Sequence, residues 1–297
     1  MGRLQHESYG KGNHNIDDAS LSVENDLMFE LAETFGSKAY RPPLLPRAAT
    51  ELMMLSRNSD VSIEEVLELL ETDALLAARV LKIASSPVYA GSSKLASLKQ
   101  GIVRIGLNTL RDIVMEAALN MKVFRSKAHQ STMTMLRTHS RATAYACRVV
   151  ARYTSIDGEF AFMCGLLHDV GISGALILSA EKKIGVGVAP HLLWEAVQAK
   201  HALGSQRMCE VWELPPEIQL AVGYHHDIEQ DGFTHPLAAV IRVAEHFVEK
   251  AGVGLHESID GGTEVTFEKA CKALELDAKK LQNVEKKLQE VFSDILA

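Results

Sequence analysis

The sequence is poor in aromatic residues, only 6% of it, and holds few alternating apolar–polar runs. Sheet proteins lean on such residues and such alternation, so an all-β architecture is excluded. Its four cysteines, Cys147, Cys164, Cys209 and Cys271, form no CxxC pair, which predicts a reduced, cytoplasmic setting. Positive charge is not in excess: 31 Lys and Arg stand against 38 Asp and Glu, a net charge of −7. Nucleic-acid binders gather positive charge to displace counterions, so nucleic acid is an unexpected partner, while a small anionic ligand stays open. No run approaches the ~20 uninterrupted apolar residues of a membrane span. The opening, MGRLQHESYGKGNHNIDDAS, has no apolar segment after Arg3 to serve as a signal peptide.

What is present is helical rhythm. At 297 residues and 47% hydrophobic, the chain supports one large domain or two modest ones with a substantial core. Residues 1–24 read as a polar, disordered tail. Apolar residues then recur at threes and fours through NDLMFELAETF, and Pro46 opens a second helix. Ser62 with Glu65 forms a capping box, and Asp73 re-caps a further helix inside ETDALLAARVLKIA. SLKQGIVRIGLNTLRDIV has the outline of a helix-turn-helix bent at Gly106, yet its second helix offers only Arg111 beside Asp112, so core packing is the expected role. Residues 251–297 form a helical extension whose stripe Leu281, Val284, Leu288, Val291, Phe292 and Ile295 is expected to pack back on the domain. A homodimer through that stripe stays open. The fold class is all-α.

Among twelve histidines, five stand in suggestive places. His139 lies in an amphipathic helix. His168 and Asp169 end the apolar run FAFMCGLL, which is expected to stop at Gly171 and Gly174. His201 opens KHALGSQRMCEVW, His225 and His226 end AVGYHHD, and Glu245 lies in VIRVAEHF. Each motif alone is weak, because a lone His-Asp step arises by chance and most buried histidines are hydrogen-bonded core residues. Together they place many polar side chains on helices, each beside apolar residues, and a cation would resolve the cost of keeping them dry. Successive helical residues point about 100° apart, so His168 and Asp169 are expected to straddle two ions ~3.5–4 Å apart, with Asp169 bridging.

These motifs resemble the HD superfamily of metal-dependent phosphohydrolases. RPPLLPRAATELMML, ETDALLAARVLKIASSPVYAG and LKQGIVRIGLNTLRDIV resemble the opening of the HDOD family, the HD-related output domains of bacterial signalling proteins. The resemblance implies an N-terminal helical part at 25–125 preceding an HD-like multi-helix bundle at 126–250. His201-Ala202-Leu203-Gly204 and HHDIEQDGFTHP are similar to the later motifs of the HD-GYP phosphodiesterases. That similarity implies a binuclear centre of divalent transition metal, iron or manganese before zinc, nickel or magnesium, on His139, His168, Asp169, His201, His225, His226 and Glu245. Three positions depart from the pattern: Glu245 replaces Asp, Ile172 replaces a phosphate-holding lysine, and Phe233-Thr234-His235-Pro236 replaces Gly-Tyr-Pro.

Three readings follow. One is a signalling module with a metal centre that is structural, redox-sensing or nucleotide-sensing, with signalling proteins or a small phosphorylated nucleotide as partners. Another is an active phosphohydrolase or phosphodiesterase, in which Lys200 and Arg242 are the candidate substrate-binding cations. The third is a metal-free scaffold. Glu195 is a candidate extra carboxylate; His235 and His246 are expected at the surface.

Overall fold

The structure, a computed structural model, describes residues 18–55, 61–84, 97–230, 232–255 and 262–296. Local signals in the sequence set several of its helix ends. The chain runs through α1 (Asp18–Gly36), α2 (Arg47–Leu55), α3 (Ile63–Glu71), α4 (Ala74–Ala84), α5 (Leu98–Ile105) and α6 (Leu107–Lys122). At the head of α3, Ser62 accepts from the Glu65 amide and the Glu65 carboxylate returns to Ser62, the reciprocal bonds of a capping box. Asp73 Oδ1 accepts from the amides of Leu75 and Leu76 and so starts α4. Gly106, at φ 78°, turns α5 into α6 in a conformation only glycine adopts freely. Arg111 and Asp112 are both buried there, so this pair of helices is a packing unit.

The core follows: α7 (Gln130–Ala151), α8 (Gly158–Leu167), α9 (Val170–Ala180), α10 (Pro190–Val211) and α11 (Pro216–Gly223). A hairpin of two-residue strands, β1 (Glu229–Gln230) and β2 (Phe233–Thr234), leads to α12 (Pro236–Lys250). Two helices close the chain, α13 (Gly262–Ala273) and α14 (Ala278–Leu296). The fold is all-α, and among the described residues that hairpin is its one sheet. α7 packs on α8 and α12, α9 on α10, and α11 on α8 and α12.

Several expectations change. The polar tail does not reach residue 24: helix begins at Asp18, while residues 1–17 lie outside the described residues, as do Ser85–Gly91 of the ASSPVYAG stretch. α1 does not join the N-terminal helices. It packs on α10, with Phe35 fully buried against Gly204, and Trp212 Nε1 donates to the Pro43 carbonyl at 3.0 Å. The apolar stripe of α14, by contrast, packs back on the domain as expected, docking on α7 with Val284, Leu288 and Phe292 buried; the Ile295 side chain lies outside the described residues. Gly171 and Gly174 do not stop a helix, since α9 runs through both.

The stretch Gly158–Ala180 is, by length and hydropathy, apolar enough to cross a bilayer, yet 94% of its most apolar window is buried inside the protein. His168 and Asp169 interrupt it between α8 and α9. An ionic quartet, buried at Arg111 and Asp112 and half-buried at Arg148 and Glu159, ties the N-terminal helices to this core: Arg148 bonds Asp112 and lies 3.1 Å from Glu159, and Arg111 bonds Glu159 and lies 3.5 Å from Asp112. Burial pushes the Asp112 carboxyl up to about 6 against the pull of Arg148 and Arg111.

Candidate metal centre

The break between α8 and α9 is what presents the His-Asp pair. His168 still has helical angles, but Asp169, at φ −107° and ψ 10°, leaves the helix before α9 begins. Both side chains thereby turn to one point, with His168 Nε2 3.3 Å from Asp169 Oδ2. The expectation that these residues sit inside a helix and diverge is corrected here. His225 and His226 likewise follow the end of α11 rather than lying within it. His139, His201 and Glu245 do sit in helices α7, α10 and α12.

Close backbone approach brings α10 to the pair. A Cβ on Gly171 would lie 2.0 Å from the His201 carbonyl oxygen and 2.5 Å from the Ser205 amide, so only glycine permits this crossing. The Gly171 amide donates to Ser205 Oγ at 2.9 Å across it. His201 Nε2 consequently lies 3.1 Å from Asp169 Oδ1.

The seven residues singled out from the sequence meet in one cluster. On one side of Asp169, Oδ2 faces His139 Nε2 at 3.4 Å and His168 Nε2 at 3.3 Å. On the other, Oδ1 faces His201 Nε2 at 3.1 Å and His225 Nε2 at 3.6 Å. Glu245 Oε1 lies 3.5 Å from His168 Nε2, and His226 Nε2 lies 3.0 Å from His201 Nε2. Three groups have ligand atoms within 4.8 Å of one another: His139 with His168 and Asp169, His168 with His225 and Glu245, and His201 with His225 and His226. All seven are buried except His226, which is exposed.

Hydrogen bonds at the far side of each ring decide what the near side offers. Nδ1 of His168, His201 and His225 reaches the carbonyl three residues earlier, Gly165 at 2.9 Å, Gln198 at 2.6 Å and Val222 at 2.7 Å. His139 Nδ1 reaches the Val253 carbonyl at 3.0 Å. A carbonyl only accepts, so each Nδ1 carries the proton and each neutral ring presents a bare lone pair at Nε2. Yet His139 Nε2 is 3.1 Å from His168 Nε2, and His201 Nε2 is 3.2 Å from His225 Nε2. Two lone pairs at that distance repel unless a cation, a proton or a metal ion, stands at them. The donor set therefore fits a metal: neutral imidazoles with oriented tautomers, plus carboxylates, in a dry site.

The electrostatics agree. Burial raises the Asp169 carboxyl, but His168 and His201, with hydrogen bonds from His139 and His168, together hold it well below the carboxylate range. Glu245 is depressed in the same way, burial being outweighed by His168 and its neighbours. Burial opposes charge on His168, yet Asp169 and Glu245 push it up to about 10. Burial pushes His225 down.

Arg242, a candidate substrate-binding cation by sequence, is held inside the protein. It is buried, and its guanidinium donates to Glu245 Oε2 at 3.2 Å, which makes it the counter-ion of a cluster carboxylate. Lys200 and Glu195 lie on α10 with His201, but among the described residues neither joins the cluster by a polar contact. His235 and His246 are half-buried rather than at the surface: His235 caps α12 by accepting from the Ala238 amide, and His246 stacks on Phe267 at 4.0 Å. Ile172 is fully buried in α9, so that position offers no cation. Sequence reasoning missed the Val253 carbonyl, which no local signal marks.

A helical fold closed around a buried histidine–carboxylate cluster defines the class: a helical domain built on a dry His-Asp pair. The chain belongs to the HDOD family, whose domain model matches residues 43–228. Among solved structures it is similar to an HDOD domain protein of unknown function from Geobacter sulfurreducens, at 22% identity and TM-score 0.65, covering 91% of this chain and 96% of that one. It is similar at 20% identity and TM-score 0.65 to a candidate metal-dependent phosphohydrolase from Shewanella amazonensis SB2B, covering 91% and 99% of the two chains. A candidate signal transduction protein from Marinobacter aquaeolei VT8 matches at 21% identity and TM-score 0.68, over 95% of this chain and 66% of that one. At these identities the likeness is one of fold.

Proposed function

We propose that this chain is a cytoplasmic signalling module of the HDOD family whose cluster holds two divalent transition-metal ions, iron or manganese, and that it regulates rather than hydrolyses. The observation that carries the reading is the facing of Nε2 lone pairs, His139 to His168 and His201 to His225, on rings whose Nδ1 protons are already committed. His139, His168, Asp169 Oδ2 and Glu245 would hold one ion; Asp169 Oδ1, His201, His225 and His226 would hold the other. Such ions supply positive charge and Lewis acidity at the centre of the cluster.

Two features support regulation over hydrolysis. Phosphoryl transfer needs cations free to meet the equatorial oxygens. Here Arg242 is committed to Glu245, and Ile172 fills the position where HD-GYP enzymes carry a lysine. The test is elemental analysis of protein purified without chelator or histidine tag, followed by a phosphodiester hydrolysis assay with manganese or iron. Stoichiometric metal without turnover is the expected result. Turnover would make the chain a phosphohydrolase, and absence of both would leave a metal-free scaffold.

A further inference from the structure

A second feature lies outside the cluster. Thr138, which precedes His139 on α7, lines a cavity of about 220 Å³ at the seam where α4 and α6 meet α7. Arg79 from α4, Glu116 and Asn120 from α6, and Arg137 and Arg141 from α7 complete its wall. We propose that this cavity is an anion site that takes the phosphate or diphosphate group of a small molecule.

Three guanidiniums from two helices converge on it against one carboxylate. Arg141 Nε lies 3.7 Å from Glu116 Oε1, and Arg79 and Arg137 act on the same carboxylate through space. Two positive charges are left over. Guanidinium forks match phosphate oxygens in pairs, which a lysine does not do.

The cavity also holds buried polar atoms without a hydrogen-bond partner, the approach of Glu116 Oε1 to Arg141 Nε at 3.7 Å being an ion pair too long for one. Asn120 Oδ1 and Arg141 Nε are buried and have no hydrogen-bond partner. A buried donor left unmade costs free energy, and a phosphate oxygen would satisfy Arg141 Nε. The Asn120 amide, turned by a half rotation, offers its NH₂ to the same ligand. The size decides the class: about 220 Å³ falls below the ~300–1,000 Å³ that encloses a drug-sized ligand, so the phosphoryl groups enter and the rest of the molecule stays outside.

Isothermal titration of the full, metal-loaded chain with inorganic diphosphate tests this. Arg79 and Arg137 are exposed, so Arg79→Gln and Arg137→Gln keep the fold, and Arg47→Gln, at an exposed position on α2, is the control. The expected result is saturable binding to the parent and to Arg47→Gln, weakened about tenfold or more in each of the other two, the loss that follows removal of one charge-assisted bond. No saturable binding by the parent would overturn the proposal. So would equal affinity in all four chains, which would put the diphosphate elsewhere, at the histidine cluster for example.

Discussion

Asp169 divides the cluster: its Oδ2 lies 3.3 Å from His168 Nε2 and its Oδ1 3.1 Å from His201 Nε2. One carboxylate thus serves two sets of imidazoles, on α7 and α8 to one side and on α10 and the end of α11 to the other. That arrangement exists because the backbone leaves the helix at Asp169 and re-enters it at Val170.

Removing this carboxylate is expected to be costly twice over. Asp169→Asn keeps the shape but strips the charge that balances buried His168, a change of the kind that costs about 3–5 kcal/mol when one partner of a buried pair is lost. The variant is expected to lose metal and Tm together, read by elemental analysis and calorimetry. Retention of full metal content would contradict the ligand assignment.

The pH response is expected to change sign with metal. His168 is raised from 6.5 to about 10 in the metal-free fold. A raised histidine contributes stability that is complete below the unfolded value near 6.5 and is lost as pH rises through about 10. The chelated protein should therefore lose Tm as pH climbs across that window, and His168→Gln should flatten the slope. With metal bound, imidazoles must be neutral to coordinate, so the proton that His168 holds below about 10 competes with the metal and affinity falls as pH drops through that value. Calorimetry of both forms over the same pH series checks this, and parallel curves would contradict it.

Gly171→Ala tests the helix crossing rather than a ligand. The added methyl would meet backbone atoms of His201 and Ser205, which cannot swing aside as a side chain can. Forced overpacking costs about 1–3 kcal/mol. Because the displaced residue is His201, the expected signature is weaker metal binding out of proportion to the drop in Tm. Metal affinity equal to the parent's would contradict it.

Much of this was legible in the sequence, and the remainder was not for identifiable reasons. Ser62, Glu65 and Asp73 act within one turn of their own chain, so their caps could be read directly. The histidines could be read as a set because burying so many polar groups demands a common partner. The break at His168–Asp169 could not, because no proline marks it and the nearest preceding glycine, Gly165, sits inside α8 without ending it. Arg242 reads as a candidate substrate-binding cation until α12 is seen to bury it beside Glu245. The docking of α1 on α10 and the Val253 carbonyl depend on contacts far apart in the chain.

The cluster itself is tested most directly by anomalous X-ray scattering from crystals of chelator-free protein. The account predicts two metal peaks, one bounded by His139, His168 and Asp169 Oδ2, the other by Asp169 Oδ1, His201 and His225. Only water or protons between those nitrogens, in crystals grown with iron or manganese supplied, would contradict it.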